Sequence, residues 1–522
     1  MIAKKGAQFK TVKGPRIQRN KFDLSHERRM SADMFTLTPV LCDMCIPGDK
    51  WRIGNEIIIR MNPLVAPIMH EIKCYVHYYF VPFRLLWDQW EKYITGGKDG
   101  KFTADLPRWD TGSRDIGSLW DYCGMNTLLP GQYVIKNPLV FPRRAYNMIY
   151  NEYYRDPNIT DELDLDWIDA NEKDLHTRCW GKDYFTSLLP WQQRGEAPAI
   201  PLQGEISAIF NGIFFDGNNS GNSNGTNIPA NNYVRAPFGV TGGPYSSQQW
   251  NVWNQNIRDS LNINTINMED ATTFDVSDLR LAFQIQKFLE RNARTGHRYP
   301  EFLKAHFPAW PRDDRLQRPE YIGGSKTPIV ISEVLQTSST DATTPQGNMA
   351  GHGLSADRTF VSTYNVQEHG LIMGIMSIMP KAMYSQGIDR VWLAETKYDF
   401  YFPEFANLSE QAVYTEEIYN IGPAPVDKVT GYQSRYDEYR YKRDTIHGLF
   451  RTDFKHWHMA REFANAPTLN IDLVRPNSVE KQSLKRILAV PSEPMFLITF
   501  GNRLHVTRPM PFMAEPGLID HN

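Results

Sequence analysis

The chain has 522 residues, 41% hydrophobic and 12% aromatic, with 57 Lys and Arg against 59 Asp and Glu for a formal net charge of −2. That length can bury a large core, and 35 Gly with 34 Pro favour short strands joined by long loops over a helical bundle. The longest apolar run, 371–379, is too short to cross a bilayer, Lys4 and Lys5 precede no apolar signal stretch, and five cysteines form no disulfide framework, so neither membrane insertion nor export is expected.

The charge is unevenly placed. Residues 1–22 hold Lys4, Lys5, Lys10, Lys13, Arg16, Arg19 and Lys21 without an acid, so this arm carries +7 and the rest of the chain −9. Gly6, Gly14 and Pro15 disfavour a helix there. The expectation is an extended polar arm, which is either a solvated tail or a device that holds nucleic acid by neutralising phosphates without reading sequence. Cys42 and Cys45 form the one CxxC, but no second pair completes a zinc site and Pro47-Gly48 follows where a redox motif needs a helix. Small buried residues are the preferred reading, and no metal or cofactor is expected.

Turn signals at Pro47-Gly48-Asp49 and Asn62-Pro63 bound a strand around residues 57–60. Next, Ile72, Cys74, Val76, Tyr78 and Phe80 alternate with Lys73, Tyr75, His77 and Tyr79, the period of a half-buried strand. Pro82 stops it, and Leu85, Leu86, Trp87 and Trp90 open a helical pattern. A short helix is expected over 145–155. Residues 157–275 show little strand signal and read as one long insertion, whose Gly/Asn/Ser-rich stretch at 216–232 forms an exposed tip.

The strongest helix spans 277–294, capped by Ser277, with Leu281, Ile285, Phe288 and Leu289 on one face to pack on a sheet. Gly296 ends it, and a second short helix is expected from Pro300 through Phe307. Strands are expected at 328–336, 370–380 and 391–402, and the end of the chain reads as a hairpin turning at Gly501-Asn502. The segment 435–443 interleaves Tyr436, Tyr439 and Tyr441 with Arg435, Arg440, Lys442 and Arg443, stacking faces beside cations that suit single-stranded nucleic acid or a subunit contact.

Enzyme signatures are missing. Residues 323–327 misspace a P-loop, and HExxH, GxSxG and GxGxxG do not occur. His456 and His458 lack a third ligand, and the adjacent pairs Asp313-Asp314 and Glu416-Glu417 make poor acid/base dyads.

The wording of residues 46–97, of DLRLAFQIQKFLERNARTGHRYPEFLKAHF, of LQRPEYIGG and of the terminal RPMP and PGL closely resembles the major capsid protein of microviruses. These are small tailless icosahedral phages with single-stranded DNA, and the likeness is greatest to the gokushovirus-like branch. The resemblance covers about 22–155 and 278–518. It implies a mainly β fold, an eight-stranded antiparallel jelly roll (β-sandwich) with long loop insertions and a few short helices. Residues 1–22 would be the arm, 23–156 and 276–522 the capsid body, and 157–275 a three-fold protrusion. Implied too are self-assembly into a T=1 shell in the host bacterial cytoplasm, a circular single-stranded DNA genome, minor or internal virion proteins, and a host surface receptor met by the tip at Gly217, Asn219, Gly221, Asn224 and Gly225. The arm and the Tyr/Arg segment would face the genome, while Trp87, Trp90 and Tyr93 suit contacts between subunits, though a core would take them equally. The alternatives are a β-sandwich carbohydrate-binding protein or glycan-active enzyme, which abundant Trp and Tyr would suit, and a soluble nucleic-acid-binding oligomer.

Overall fold

A computed structural model describes residues 18–99, 101–128, 132–168, 173–195, 206–207, 265–266, 276–294, 317–335, 349–422 and 427–513. The chain divides into two compact units, Met1–Gln192 with Thr295–Asn522, and Gln193–Arg294. Its strands are Asn20–Asp23 (β1), His26–Ala32 (β2), Thr38–Cys45 (β3), Lys50–Met61 (β4), Ile72–Pro82 (β5), Ile206–Ser207 (β6), Thr265–Ile266 (β7), Glu320–Pro328 (β8), Val330–Leu335 (β9), Met349–Asn365 (β10), Gly370–Pro380 (β11), Glu410–Tyr414 (β12), Val429–Ser434 (β13) and Phe496–Arg508 (β14).

Two antiparallel sheets organise the first unit. The larger runs β1-β14-β4-β10-β9 with β2 also on β14, and the smaller runs β3-β11-β5-β8. Eight of these strands, β2, β3, β4, β5, β8, β10, β11 and β14, numbered one to eight in chain order, lie as 1-8-3-6 against 2-7-4-5. Two interlocked Greek keys generate this order, so the eight-stranded β-sandwich expected from sequence is met, with β1 and β9 added to the larger sheet.

The core forms where the inward residues of both sheets meet. Trp51, Ile53, Ile57 and Ile59 of β4 and Phe500, Leu504 and Val506 of β14 pack against Cys74, Val76, Tyr78 and Phe80 of β5 and Ile372, Met376 and Ile378 of β11. Two buried amides tie the sheets together: Asn55 Nδ2 donates to Ser325 Oγ at 2.7 Å, and Asn502 Nδ2 to the Val40 carbonyl at 2.9 Å. On the far side of the smaller sheet, Tyr79, Val81, Leu371, Met373 and Ile375 meet Phe141, Ala145, Tyr146 and Ile149. β11 is therefore buried on both faces, which is why its sequence is a continuous apolar run rather than an alternation. The turn before β4 follows its residues: Gly48 has φ +91°, and the Asp49 carboxylate accepts from Ile46 N at 3.1 Å and Arg508 Nε at 3.1 Å.

Several elements depart from the sequence reading. Gly501-Asn502 is no hairpin turn. β14 is one 13-residue strand paired with β4 through Asn502↔Asn55, because Asn502 points inward to its bond with Val40. Residues 391–402 are not a strand but carry 3-10 turns at Arg390–Trp392 and Lys397–Asp399. There the Asp399 carboxylate accepts from Thr396 N at 2.7 Å, a local bond that competes with a ladder. Residues 328–336 belong to two strands, β8 ending at Pro328 and β9 beginning at Val330. The helix expected at 145–155 starts earlier, at Phe141, and ends in a π turn, Tyr150–Tyr154.

The long helix is present as Val276–Arg294, but it lies in the second unit, and Leu281, Ile285 and Phe288 are exposed rather than packed on a sheet. The second unit begins at Gln193, not 157, because aromatic residues anchor what precedes it: Trp180 meets Phe35 edge-on at 4.4 Å and Phe185 meets Tyr384 at 4.9 Å. The insertion tip at 216–232, Gly296 and the helix expected at 300–307 lie outside the described residues.

Candidate assembly and nucleic-acid surfaces

The described part of the arm lies at an edge of the larger sheet. β1 pairs with β14 through Asn20↔Arg508 to Asp23↔His505, and Asn20 Nδ2 donates to the Met510 carbonyl at 2.9 Å. Arg19 and Lys21 are exposed at this edge, whereas Lys4, Lys5, Lys10, Lys13 and Arg16 lie outside the described residues.

The Tyr/Arg segment follows β13 as a left-handed residue, Tyr436 at φ +64°, and a single helical turn, Asp437–Arg440. Most of its cations are already engaged. Arg435 donates to the Tyr398 carbonyl at 3.2 Å and lies 4.9 Å over the Tyr436 ring. Arg440 pairs with Asp437 at 2.6 Å, and Arg443 pairs with Asp389 at 2.8 Å while donating to the Gly387 and Glu417 carbonyls. Tyr436 is buried, with its hydroxyl donating to the Phe400 carbonyl at 3.1 Å. Beneath the turn, Arg390 bonds Glu417 at 2.9 Å, and burial raises the Glu417 carboxyl from its usual range despite that guanidinium. What the segment offers outward is Tyr439, Tyr441 and Lys442. That is two stacking faces and one unpaired cation, much less charge than its sequence carries.

Beside it lies a surface that sequence reading missed. Trp392, Tyr398, Phe400, Tyr401 and Phe402 are all exposed, Trp392 by 79%, and Tyr401 reaches Tyr439 with ring centroids 6.1 Å apart. The expected strand at 391–402 would have hidden alternate residues. With 3-10 turns instead, the aromatic side chains are left together in solvent, and an apolar patch of this kind marks a protein contact.

The other singled-out residues are built into the body. Trp90 packs against Phe83 at 4.9 Å and Phe141 at 6.0 Å, and Trp87 and Tyr93 are half-buried beside it. His458 bonds the Phe450 carbonyl at 2.7 Å and accepts from Ala460 N at 3.1 Å. Cys45 and Cys123 are buried, and the Cys42 thiol beside Cys123, together with burial, pushes the Cys123 thiol up. Among the described residues no three His, Cys, Asp or Glu side chains gather as metal ligands, and no helix is long and apolar enough to cross a membrane.

Known proteins match this chain along almost its whole length. The family described as capsid protein (F protein) matches residues 10–518. A capsid protein VP1 of Chlamydia phage 1 is 33% identical over 98% of this chain and 97% of its own length. A capsid protein VP1 of Bdellovibrio phage phiMH2K is 31% identical over 97% of each chain, and one of Spiroplasma virus 4 is 27% identical over 98% and 97%. Matched end to end in this way, and folded as a two-sheet β-sandwich, the chain belongs to the capsid protein (F protein) family of microvirus major capsid proteins.

Proposed function

We propose that this coat protein closes a T=1 icosahedral shell around a circular single-stranded DNA genome, assembling in the cytoplasm of a bacterial host. The observation that carries this reading is the family match over residues 10–518 on a jelly-roll body. A closed shell needs broad, repeated interfaces rather than one pocket. The exposed aromatic segment from Trp392 to Phe402, with Tyr439 and Tyr441, is the surface we assign to contacts between subunits or with minor virion proteins. The capsid family favours a structural role over an enzymatic one.

The arm is assigned to the genome, since phosphate neutralisation by its cations needs no sequence reading. Because β1 completes the larger sheet, the informative deletion removes residues 1–17 and leaves Asn20–Asp23 in place. Negative-stain images of the purified chain should show uniform small isometric particles. Particles of the deletion variant should form but package less DNA, read as the ratio of absorbance at 260 to 280 nm. Dispersed monomers that bind glycan would overturn the shell. Unchanged DNA content would remove the arm from genome holding.

A further inference from the structure

The outward face of the larger sheet carries an excess of cations around one exposed aromatic ring. Because strand side chains alternate, the residues opposite the core residues Trp51, Ile53, Ile57 and Ile59 all face away from it. On β4 these are Lys50, Arg52, Gly54, Glu56, Ile58 and Arg60, and on β10 they include Arg358 and Phe360. Arg503 of β14, Arg29 of β2 and Lys21 of β1 continue the set. Seven cations thus share this face with the acids Asp23, Glu27 and Glu56, in a chain whose total charge is −2. Arg503 bonds Glu56. Among the described residues Arg29, Lys50, Arg52 and Arg60 form no ion pair, while Arg358 stands across from Glu56 and, with Arg503, holds that carboxyl below its usual range.

The centre of the face is shaped as well as charged. Gly54 lies between Phe360 on one neighbouring strand and Arg503 on the other, and Gly501 is the outward residue just before Arg503. Gly54 is buried between them, so Phe360 and Arg503 stand on strands two spacings, about 9.5 Å, apart. Phe360 is 57% exposed, and Arg52 stands 5.1 Å from its centroid. An exposed ring flanked by cations on an open sheet is how single-stranded nucleic acid is held without sequence preference: a base stacks on the ring while arginines take the phosphates.

We infer that the outward face of the six-stranded sheet is a platform for single-stranded DNA, with Phe360 stacking a base and Arg52, Arg358 and Arg60 neutralising phosphates. The charge excess selects a polyanion as the occupant, and the arm starts at the β1 edge of the same sheet. This inference rests on the genome-enclosing role proposed above and adds a second DNA-binding surface to it.

The test is fluorescence anisotropy of a labelled oligo(dT) of about 20 nucleotides with the full-length chain. Phe360→Leu, which keeps the apolar area and loses the π face, should weaken binding about tenfold. Phe360→Trp should restore it. The double variant Arg52→Ala/Arg358→Ala should flatten the log–log salt dependence by about 1.4, at ~0.7 for each cation removed. All these positions face solvent, so the variants should melt as the parent does. Unchanged affinity and slope in them, with binding lost only on removing residues 1–17, would overturn the platform and leave the arm's role standing. No binding by the parent chain would overturn both. Loss of particle formation with DNA affinity intact would assign the face to a subunit contact and overturn the platform.

Discussion

His176 shows how a single side chain ties stability to pH. Its ring is stacked on Tyr150 at 4.0 Å, Trp167 at 4.7 Å and Tyr146 at 5.0 Å, and Nε2 bonds the Asn147 side-chain oxygen at 2.8 Å. Burial holds its pKa down at about 3, and the partly buried His70 and His77 are lowered to about 4 for the same reason. The folded imidazole stays neutral while the unfolded one takes up a proton below its ordinary value of ~6.5, so stability is present above that pH and falls as pH drops toward the folded pKa. For His176 alone the loss between pH 7 and 5 is about 2 kcal/mol. Denaturant unfolding at the two pH values should show a reduced midpoint at pH 5, and His176→Gln should reduce that difference. An equal pH dependence in the variant would show that this ring titrates normally. The sequence placed no weight on His176, because only folding brings three aromatic rings from two distant segments around it.

At the scale of elements, the strands most legible from sequence are those whose residue types alternate. β5 alternates as its residues require, and β4 extends the expected 57–60 core in both directions. The misread elements are those whose fate is set by distant partners. The Gly-Asn pair within β14 predicts a hairpin, yet β4 pairs with the strand without a break and Val40 takes the Asn502 amide. Asn502→Gly therefore separates the two descriptions. A turn would tolerate it, whereas the buried strand position should lose about 2 kcal/mol through the unpaired Val40 carbonyl and the weakened strand, read as a lower unfolding midpoint in urea. The 391–402 segment failed differently: its apolar residues do not mark a core, and the Thr396–Asp399 capping box folds it into turns that present them to solvent.

At the scale of the molecule, we propose a division of labour in which the two-sheet body builds the shell and the chain between its strands meets the host. Replacing residues 217–232 by a short Gly-Ser linker should leave particles assembled and folded while abolishing adsorption to host cells, measured as unadsorbed particles remaining in the supernatant. Collapse of assembly would mean that the tip belongs to the shell. By sequence the Tyr/Arg segment is a cationic patch, but its arginines are tied to Asp389, Asp437 and backbone carbonyls, which leaves Lys442 and two tyrosines facing outward.

The sequence by itself determined the family, the β-sandwich class, the basic arm and the period-two strands, because these rest on local wording, composition and alternation. Tertiary structure alone decided which cations are free, which aromatic residues are exposed and which face of the larger sheet is basic. Those properties belong to partners far apart in the chain: Arg443 finds Asp389, Asn502 finds Val40, and Phe360 comes beside Arg52 only when β10 pairs with β4. Charge and apolarity are written residue by residue, but their exposure is a property of the pairing.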